Sequence, residues 1–205
     1  MRPVDHLVIF AKTPRLGRVK ARLAADIGAV EATALYRRTL TSLVRRLGRD
    51  RRWRTVIAIT PDGDASSTAT PGRTRRMGQG RGDLGRRMDG AFRRLPRGRA
   101  VIVGSDIPDI QPRHIADAFR ALGRYDAVFG PADDGGYWLI GLRRRPRVLS
   151  LFTGVRWSSP AALADTLANL GHGKRAALLD MLVDVDDGAA LARWRAARRV
   201  TSGVP

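Results

Sequence analysis

The chain has no cysteine. Disulfides, thiolate metal sites and a cysteine nucleophile are therefore excluded. Glutamate is almost absent, since Glu31 is the one Glu among 19 acidic residues. Lysine is scarce as well: Lys12, Lys20 and Lys174 stand among 38 basic side chains. The histidines, His6, His114 and His172, are scattered without zinc-ligand spacing. No apolar run approaches the ~20 residues that a membrane-spanning helix needs. The opening "MRPVDHLVIFAKTPRLG" carries Asp5 and His6 beside its apolar stretch. It reads as a first strand, not a signal peptide, and a cytoplasmic location is the expectation. Neither a G-x-x-x-x-G-K-[ST] phosphate loop nor a G-x-S-x-G nucleophile elbow is spelled anywhere.

What is present in excess is arginine, and the formal net charge is +19. Such a surface attracts polyanions. The arginines are nevertheless spread along the whole chain. No basic helix, zinc finger or aromatic RNA-binding strand accompanies them. Arginine used freely on solvated faces is the simpler reading, and no specific nucleic-acid partner is expected. A non-catalytic polyanion-binding protein stays as the rival. The acids are nearly all Asp, which favours caps and loop ends. Several cluster where strands should finish.

A length of 205 residues suits one domain, 1–205, with a substantial core. The apolar runs "HLVIFAK", "TVIAIT", "AVIVGSD", "YDAVFG" and "YWLIGL" have strand length. Helical spacing fills the gaps. In "GAVEATALYRRTLTSLVRRLG", Ala34, Leu35, Leu40, Leu43, Val44 and Leu47 share a face opposite the arginines. "GDLGRRMDGAFRRL" starts at Asp83, and "PRHIADAFRALG" follows the third run. "SSPAALADTLANLG" would be capped by Ser158 or Ser159 and closed by Gly171. A loop "DVDD" leads into a last helix, and residues 62–76 look like a patternless surface excursion. The alternation predicts an α/β fold: a single-domain three-layer αβα sandwich around a mostly parallel sheet. Ligands of such sheets bind beyond the carboxyl ends of the strands. The loops "AKTPRLGRVKARL", "GSDIPDI" and "GPADDGG" should therefore share one edge.

Each loop has a plain reading and a chemical one. Lys20 and Arg22 open a helix after Pro14 and Gly17, an arrangement suited to phosphate. "QGRGDLG" spells G-x-G-x-x-G, but no buried strand precedes it, so a turn into a helix is expected rather than a dinucleotide fingerprint. Asp106 ends a strand and is stiffened by Pro108, which makes it a candidate ligand for a hard divalent cation. Asp109 reads as the cap of the helix over 112–123. "DDGGYW" is either a hairpin turn at Asp134-Gly135 or a loop that lets backbone approach a ligand, with Tyr137 and Trp138 as a flat apolar surface. In "DVDD", residues 184–187, the D-x-D suits a metal-bound diphosphate or a helix start, with Asp186 the first candidate ligand.

The ordered set F-A-K-x-P-x-x-G-x-V-K-x-R-L, Q-G-x-G-D-L-G-x-R-M, G-S-D-x-P-D, G-P-A-D-D-G-G-Y-x-L-I-G-L, W-S-S-P and D-V-D runs from about residue 7 to about residue 195. It resembles a bacterial family of GT-A-type, nucleotide-diphospho-sugar transferase-like proteins. Members are commonly labelled glycosyltransferase, and some are associated with arsenosugar biosynthesis. The chain is also similar to 2-phospholactate guanylyltransferase, through the K-x-R-L loop and the mid-chain S-D-x-P. The resemblance implies a nucleotide-binding first loop with Lys20 and Arg22 near the phosphates; Ala11, Lys12 and Gly17 of that loop and Gln79, Gly80 and Gly82 of "QGRGDLG" are the further candidates for holding a nucleotide or nucleotide-sugar donor. It implies that Asp106 carries the metal, Mg2+ or Mn2+, and Asp186 is the second candidate ligand on the reading of the D-x-D alone. It places an unidentified small-molecule acceptor near Asp133, Asp134, Gly135, Gly136 and Trp157; Tyr137 follows in the same stretch as a further candidate, and position in the loop alone makes Asp133 or Asp134 the candidate general base. The chain departs from the family at Ala21, often threonine there, and at Ile107, often cysteine. The reaction implied is glycosyl transfer; nucleotidyl transfer with release of pyrophosphate is the alternative.

Overall fold

A computed structural model describes residues 4–66, 74–144 and 147–202. Seven strands form one sheet: β1 (His6–Lys12), β2 (Arg54–Thr60), β3 (Arg75–Gly78), β4 (Ala100–Gly104), β5 (Ala127–Pro131), β6 (Tyr137–Leu142) and β7 (Ala176–Leu178). Their order is β3-β2-β1-β4-β6-β5-β7. Every pairing is parallel except those of β6, which runs antiparallel to both β4 and β5. The helices are α1 (Ala21–Ile27), α2 (Ala29–Gly48), α3 (Leu84–Arg94), α4 (Pro112–Ala121), α5 (Ala162–Ala168) and α6 (Gly188–Ser202). None is long and apolar enough to cross a membrane among the described residues.

The three layers follow from the two-residue period of a strand. Leu7, Ile9 and Ala11 of β1 pack with Leu40, Leu43 and Leu47 of α2 and Ile115, Ala118 and Phe119 of α4. Val8 and Phe10 turn the other way, onto Met88, Ala91 and Phe92 of α3, with Leu163 and Leu167 of α5 at the margin. Both faces of β1 are thus covered, as its unbroken apolar run requires. Each buried Leu, Ile, Val, Phe and Met among them contributes about 1.5–3 kcal/mol by leaving water. A smaller cluster of Leu23, Ala32, Val185 and Leu191 joins α1, α2 and α6.

The expected elements appear with several corrections. Residues 62–76 are not patternless throughout. Asp62–Ser66 is a 3-10 turn and Arg75–Gly78 is the edge strand β3. Its Arg-Arg-Met-Gly spelling is half exposed at the sheet margin, so no apolar run marks it. The remainder of that excursion, 67–73, lies outside the described residues. On α2 the inward position is Tyr36, while Leu35 is only partly buried. Gly28, at φ 84°, splits α1 from α2. Asp83 caps α3 as expected, accepting from the Arg86 N–H at 2.8 Å.

Neither Ser158 nor Ser159 caps α5, which begins at Ala162 and ends well before Gly171. Ser159 serves the preceding turn instead, its Oγ donating to the Arg156 carbonyl at 2.7 Å. Asp109 does not cap α4. Gln111 precedes that helix, its N–H donating to His114 Nδ1 at 3.1 Å. Asp109 accepts from Trp194 Nε1 at 2.8 Å and so anchors α6.

Candidate active site

The loops after β1 and β4 and the β5–β6 turn meet at one edge of the sheet, around a cleft of about 580 Å3. β6 starts at this edge because it runs against its neighbours. The tight turn after β5 is therefore a hairpin as well as a cleft wall. The Ala132 N–H donates to the Gly136 carbonyl at 3.1 Å.

Lys20 lies at the floor. Its backbone is left-handed, at φ 51° and ψ 52°, and its carbonyl accepts the first bond of α1 from the Ala24 N–H at 2.7 Å. Its ammonium is 2.9 Å from Asp106 Oδ1 and 3.5 Å from both Asp184 Oδ1 and Asp186 Oδ1. Only 6% of the Lys20 side chain is exposed. Burial works against its charge, but Asp106, Asp184 and Asp186 outweigh burial and raise its pKa. Asp184 shows the opposite strain. Burial, then the charges of Asp106, Asp186 and Asp134, push it up to about 7 against the pull of Lys20. Arg22, largely exposed, approaches Asp186 at 3.5 Å and adds little in water.

Three carboxylates around one buried ammonium leave a surplus of negative charge. The donors are all oxygen, the kind that hard cations such as Mg2+ take. Asp106 and Asp186 are also the more open members, at 42% and 43% exposed. In kind and in charge the set fits a divalent cation. In arrangement it centres on Lys20. Among the described residues no three acidic or histidine side chains surround a single point as a metal cluster.

The structure gathers most of the expected site residues at this cleft. Ala11, Lys12, Lys20, Gln79, Gly82, Asp106, Asp134, Gly136, Tyr137, Trp157 and Asp186 line it. Gln79 is held by its side-chain amide, which donates to the carbonyls of Ala11 and Ala58 at 3.1 and 3.0 Å. Tyr137 and Trp157 form an edge-to-face pair with centroids 6.4 Å apart.

Others have structural work outside the lining. Gly17 is a turn residue at φ 69°, and the Gly80 N–H donates to the Asp62 carboxylate. Asp133 faces α6, accepting from the Asp184 N–H and pairing with Arg193, both at 3.4 Å. Gly135 has φ 82°, and a Cβ there would lie 2.3 Å from the Pro160 carbonyl oxygen. It admits the chain that leads into α5. Trp138 is 2% exposed rather than an open surface, and its indole covers Gly130.

Sequence reasoning missed Asp184 as an individual, although it lies in the D-x-D. Tyr36 and Ser105 were missed because nothing in a strand end or a helix face announces a buried hydroxyl pair. Ser158, at φ 57°, and Lys20 are cleft residues in the left-handed region, where non-glycine residues store strain.

The mostly parallel sheet, its single reversed strand and the edge cleft define a protein of the nucleotide-diphospho-sugar transferase fold. The chain belongs to the family described as "Uncharacterized protein conserved in bacteria (DUF2064)", which matches residues 43–159. It is similar to a protein from Desulfovibrio desulfuricans G20 described provisionally as a nucleotide-diphospho-sugar transferase. That match has 29% identity and a TM-score of 0.82, covering 89% of this chain and 82% of the other. CMP:2-keto-3-deoxy-manno-octonic acid synthetase, solved with CTP, shares the fold at 13% identity and TM-score 0.60 (97% and 100% covered). So does glucosyl-3-phosphoglycerate synthase from Mycobacterium tuberculosis, solved with Mn2+, UDP and glucosyl-3-phosphoglycerate, at 12% and 0.55 (98% and 81% covered). No curated protein matches the chain by sequence.

Proposed function

We propose that this protein transfers a sugar from a nucleotide-diphospho-sugar to a small hydroxyl-bearing acceptor. The observation that carries the reading is the buried Lys20 ammonium among Asp106, Asp184 and Asp186 at the cleft floor. A fixed cation beside surplus carboxylates suits a diphosphate that arrives with a divalent ion. Asp106 and Asp186 would hold Mg2+ or Mn2+, which when bound supplies a Lewis acid to the departing diphosphate. The fold neighbour solved with Mn2+ and UDP supports that choice of ion.

Lys12 and Lys20 offset phosphate charge from the donor side, where they stabilise the negative charge that builds on the leaving group. Ala11, Gln79 and Gly82 form the wall for base and ribose. Tyr137 and Trp157 face the acceptor. Its hydroxyl oxygen bonds to the anomeric carbon as the bond from that carbon to the diphosphate oxygen breaks. The hydroxyl proton passes to Asp134, the member of the Asp133–Asp134 pair that lines the cleft.

Nucleotidyl transfer is the second reading, favoured by the complete coverage of a fold neighbour that was solved with CTP. Here an acceptor phosphate or carboxylate attacks the α-phosphorus and pyrophosphate leaves. Incubation with Mn2+ and a panel of nucleotide sugars and nucleoside triphosphates separates the two. Nucleoside diphosphate release is expected; pyrophosphate release selects the second reading. Asp106→Ala should abolish metal-dependent turnover in either case, with the fold retained. Turnover that survives this substitution refutes the assignment.

A further inference from the structure

Beyond the ladder that joins β1 to β4, the Tyr36 side chain bridges the last residue of β1 and the loop after β4. The ladder runs from His6↔Ala100 to Phe10↔Gly104 and stops there. Lys12 and Ser105, which immediately precedes Asp106, lie past its end. Tyr36 reaches them from α2 and is 4% exposed. Its hydroxyl is 2.9 Å from the Lys12 N–H nitrogen, 3.0 Å from the Lys12 carbonyl oxygen and 3.0 Å from Ser105 Oγ.

A phenol has one proton and two lone pairs. The Tyr36 oxygen accepts from the Lys12 N–H. It donates to either the Lys12 carbonyl or Ser105 Oγ, and Ser105 is free to donate in return. Burial and the nearby Asp106 charge both push the phenol's pKa up, so it stays neutral and keeps both capacities. Packing alone does not call for this oxygen. The ring lies in an apolar cluster with Leu40 and Leu43, where phenylalanine would bury as well. A buried hydroxyl is a cost unless it is bonded. All of its partners belong to the catalytic edge.

We infer that Tyr36 is a positioning residue that fixes the end of β1, from which the Lys20 loop departs, at a set distance from the Asp106 loop, and so couples nucleotide binding to divalent-ion binding. The inference rests on the function proposed above. A diphosphate and a cation bound in one cleft would need their holding residues kept in register, and the hydroxyl supplies that register where the β1–β4 ladder has ended. Without it each ligand still finds its own loop, but the two no longer reinforce each other.

The test measures that reinforcement. Isothermal titration gives the affinity for Mn2+ with and without a nucleoside diphosphate, and for the diphosphate with and without Mn2+. The probe is whichever of UDP, GDP, CDP, ADP and TDP the wild type binds most tightly. Tyr36→Phe should cut the mutual enhancement on the order of tenfold, a larger change than in either affinity alone. Ser105→Ala removes the other half of the link and should do the same; it carries the test if the Tyr36 variant does not fold. Enhancement equal to wild type in the folded variants overturns the inference. So does a parallel loss of both single-ligand affinities with unchanged enhancement, which is the signature of a structural residue. Absence of any enhancement in the wild type instead overturns the proposed shared site itself.

Discussion

Asp184 sits at the midpoint of its titration near neutral pH, since its pKa is pushed up to about 7 by burial and then by Asp106, Asp186 and Asp134. In the unfolded chain its pKa returns to about 3.8. Between these values the folded state holds a proton that the unfolded state has lost. The contribution of Asp184 to stability therefore falls as pH rises from ~4 to ~7 and is flat beyond. Asp184→Asn removes this dependence. In metal-free buffer its melting temperature should gain on wild type steadily across that window and hold the gain at pH 8. A constant difference at every pH would mean that another group titrates. Gly135 gives a second prediction at this scale. Gly135→Ala forces a Cβ into left-handed backbone and against the Pro160 carbonyl. It should destabilise by about 1–3 kcal/mol in denaturant unfolding. The place of Asp106 at the cleft was legible because it ends an apolar run. The pairing of Lys20 with Asp184 and Asp186 was not, because these lie more than 160 residues from it in sequence. Only the return of the final segment across the sheet edge brings them together.

Among elements, β1, β2, β4 and α2–α4 were readable because their apolar periods are long and regular. β3 was hidden by its edge position, and α5 was over-read because Ser158 and Ser159 look like caps but belong to the turn before it. Two elements owe their placement to polar staples that no period reveals. Arg144, after β6, is 5% exposed and donates to the carbonyls of Phe92, Leu95, Pro96 and Gly98. It closes the end of α3 and ties it to the approach of β4. Arg144→Ala would leave several buried carbonyls without donors and should lower unfolding free energy by roughly 3 kcal/mol. α6 is clasped by acids from three other places. Asp26 accepts from the Gly188 N–H at 2.7 Å, Asp109 from Trp194 Nε1 at 2.8 Å, and Asp133 pairs with Arg193 at 3.4 Å. Trp194→Phe keeps the ring but loses the Asp109 bond. It should cost about 1 kcal/mol and speed amide exchange at residues 184–187. Unchanged exchange there would show that α6 is held without this bond.

For the whole molecule, a net charge of +19 coexists with an acid-rich cleft. The two should bind different things by different rules. Polyanions such as heparin should bind the arginine surface with a steep salt dependence and no regard for Asp106→Ala. Nucleotide with Mn2+ should bind with a shallow salt dependence and lose affinity in that variant. If both ligands respond alike to salt and to the substitution, the division between surface and cleft is wrong. The three-layer class was legible from alternation alone. The strand order was not, since β6 lies between β4 and β5 although β5 precedes it in sequence.

That reversed strand has a consequence for how such proteins diverge. Because β6 enters at the cleft edge and leaves at the opposite end, the excursion that leaves this opening at Ala132 is beside it again at Trp157. Under the proposed assignment this excursion carries Asp134, Tyr137 and Trp157, while Lys12, Lys20 and Asp106 all precede it. A single contiguous cassette exchanged between relatives would thus import a new acceptor preference and leave the donor machinery in place.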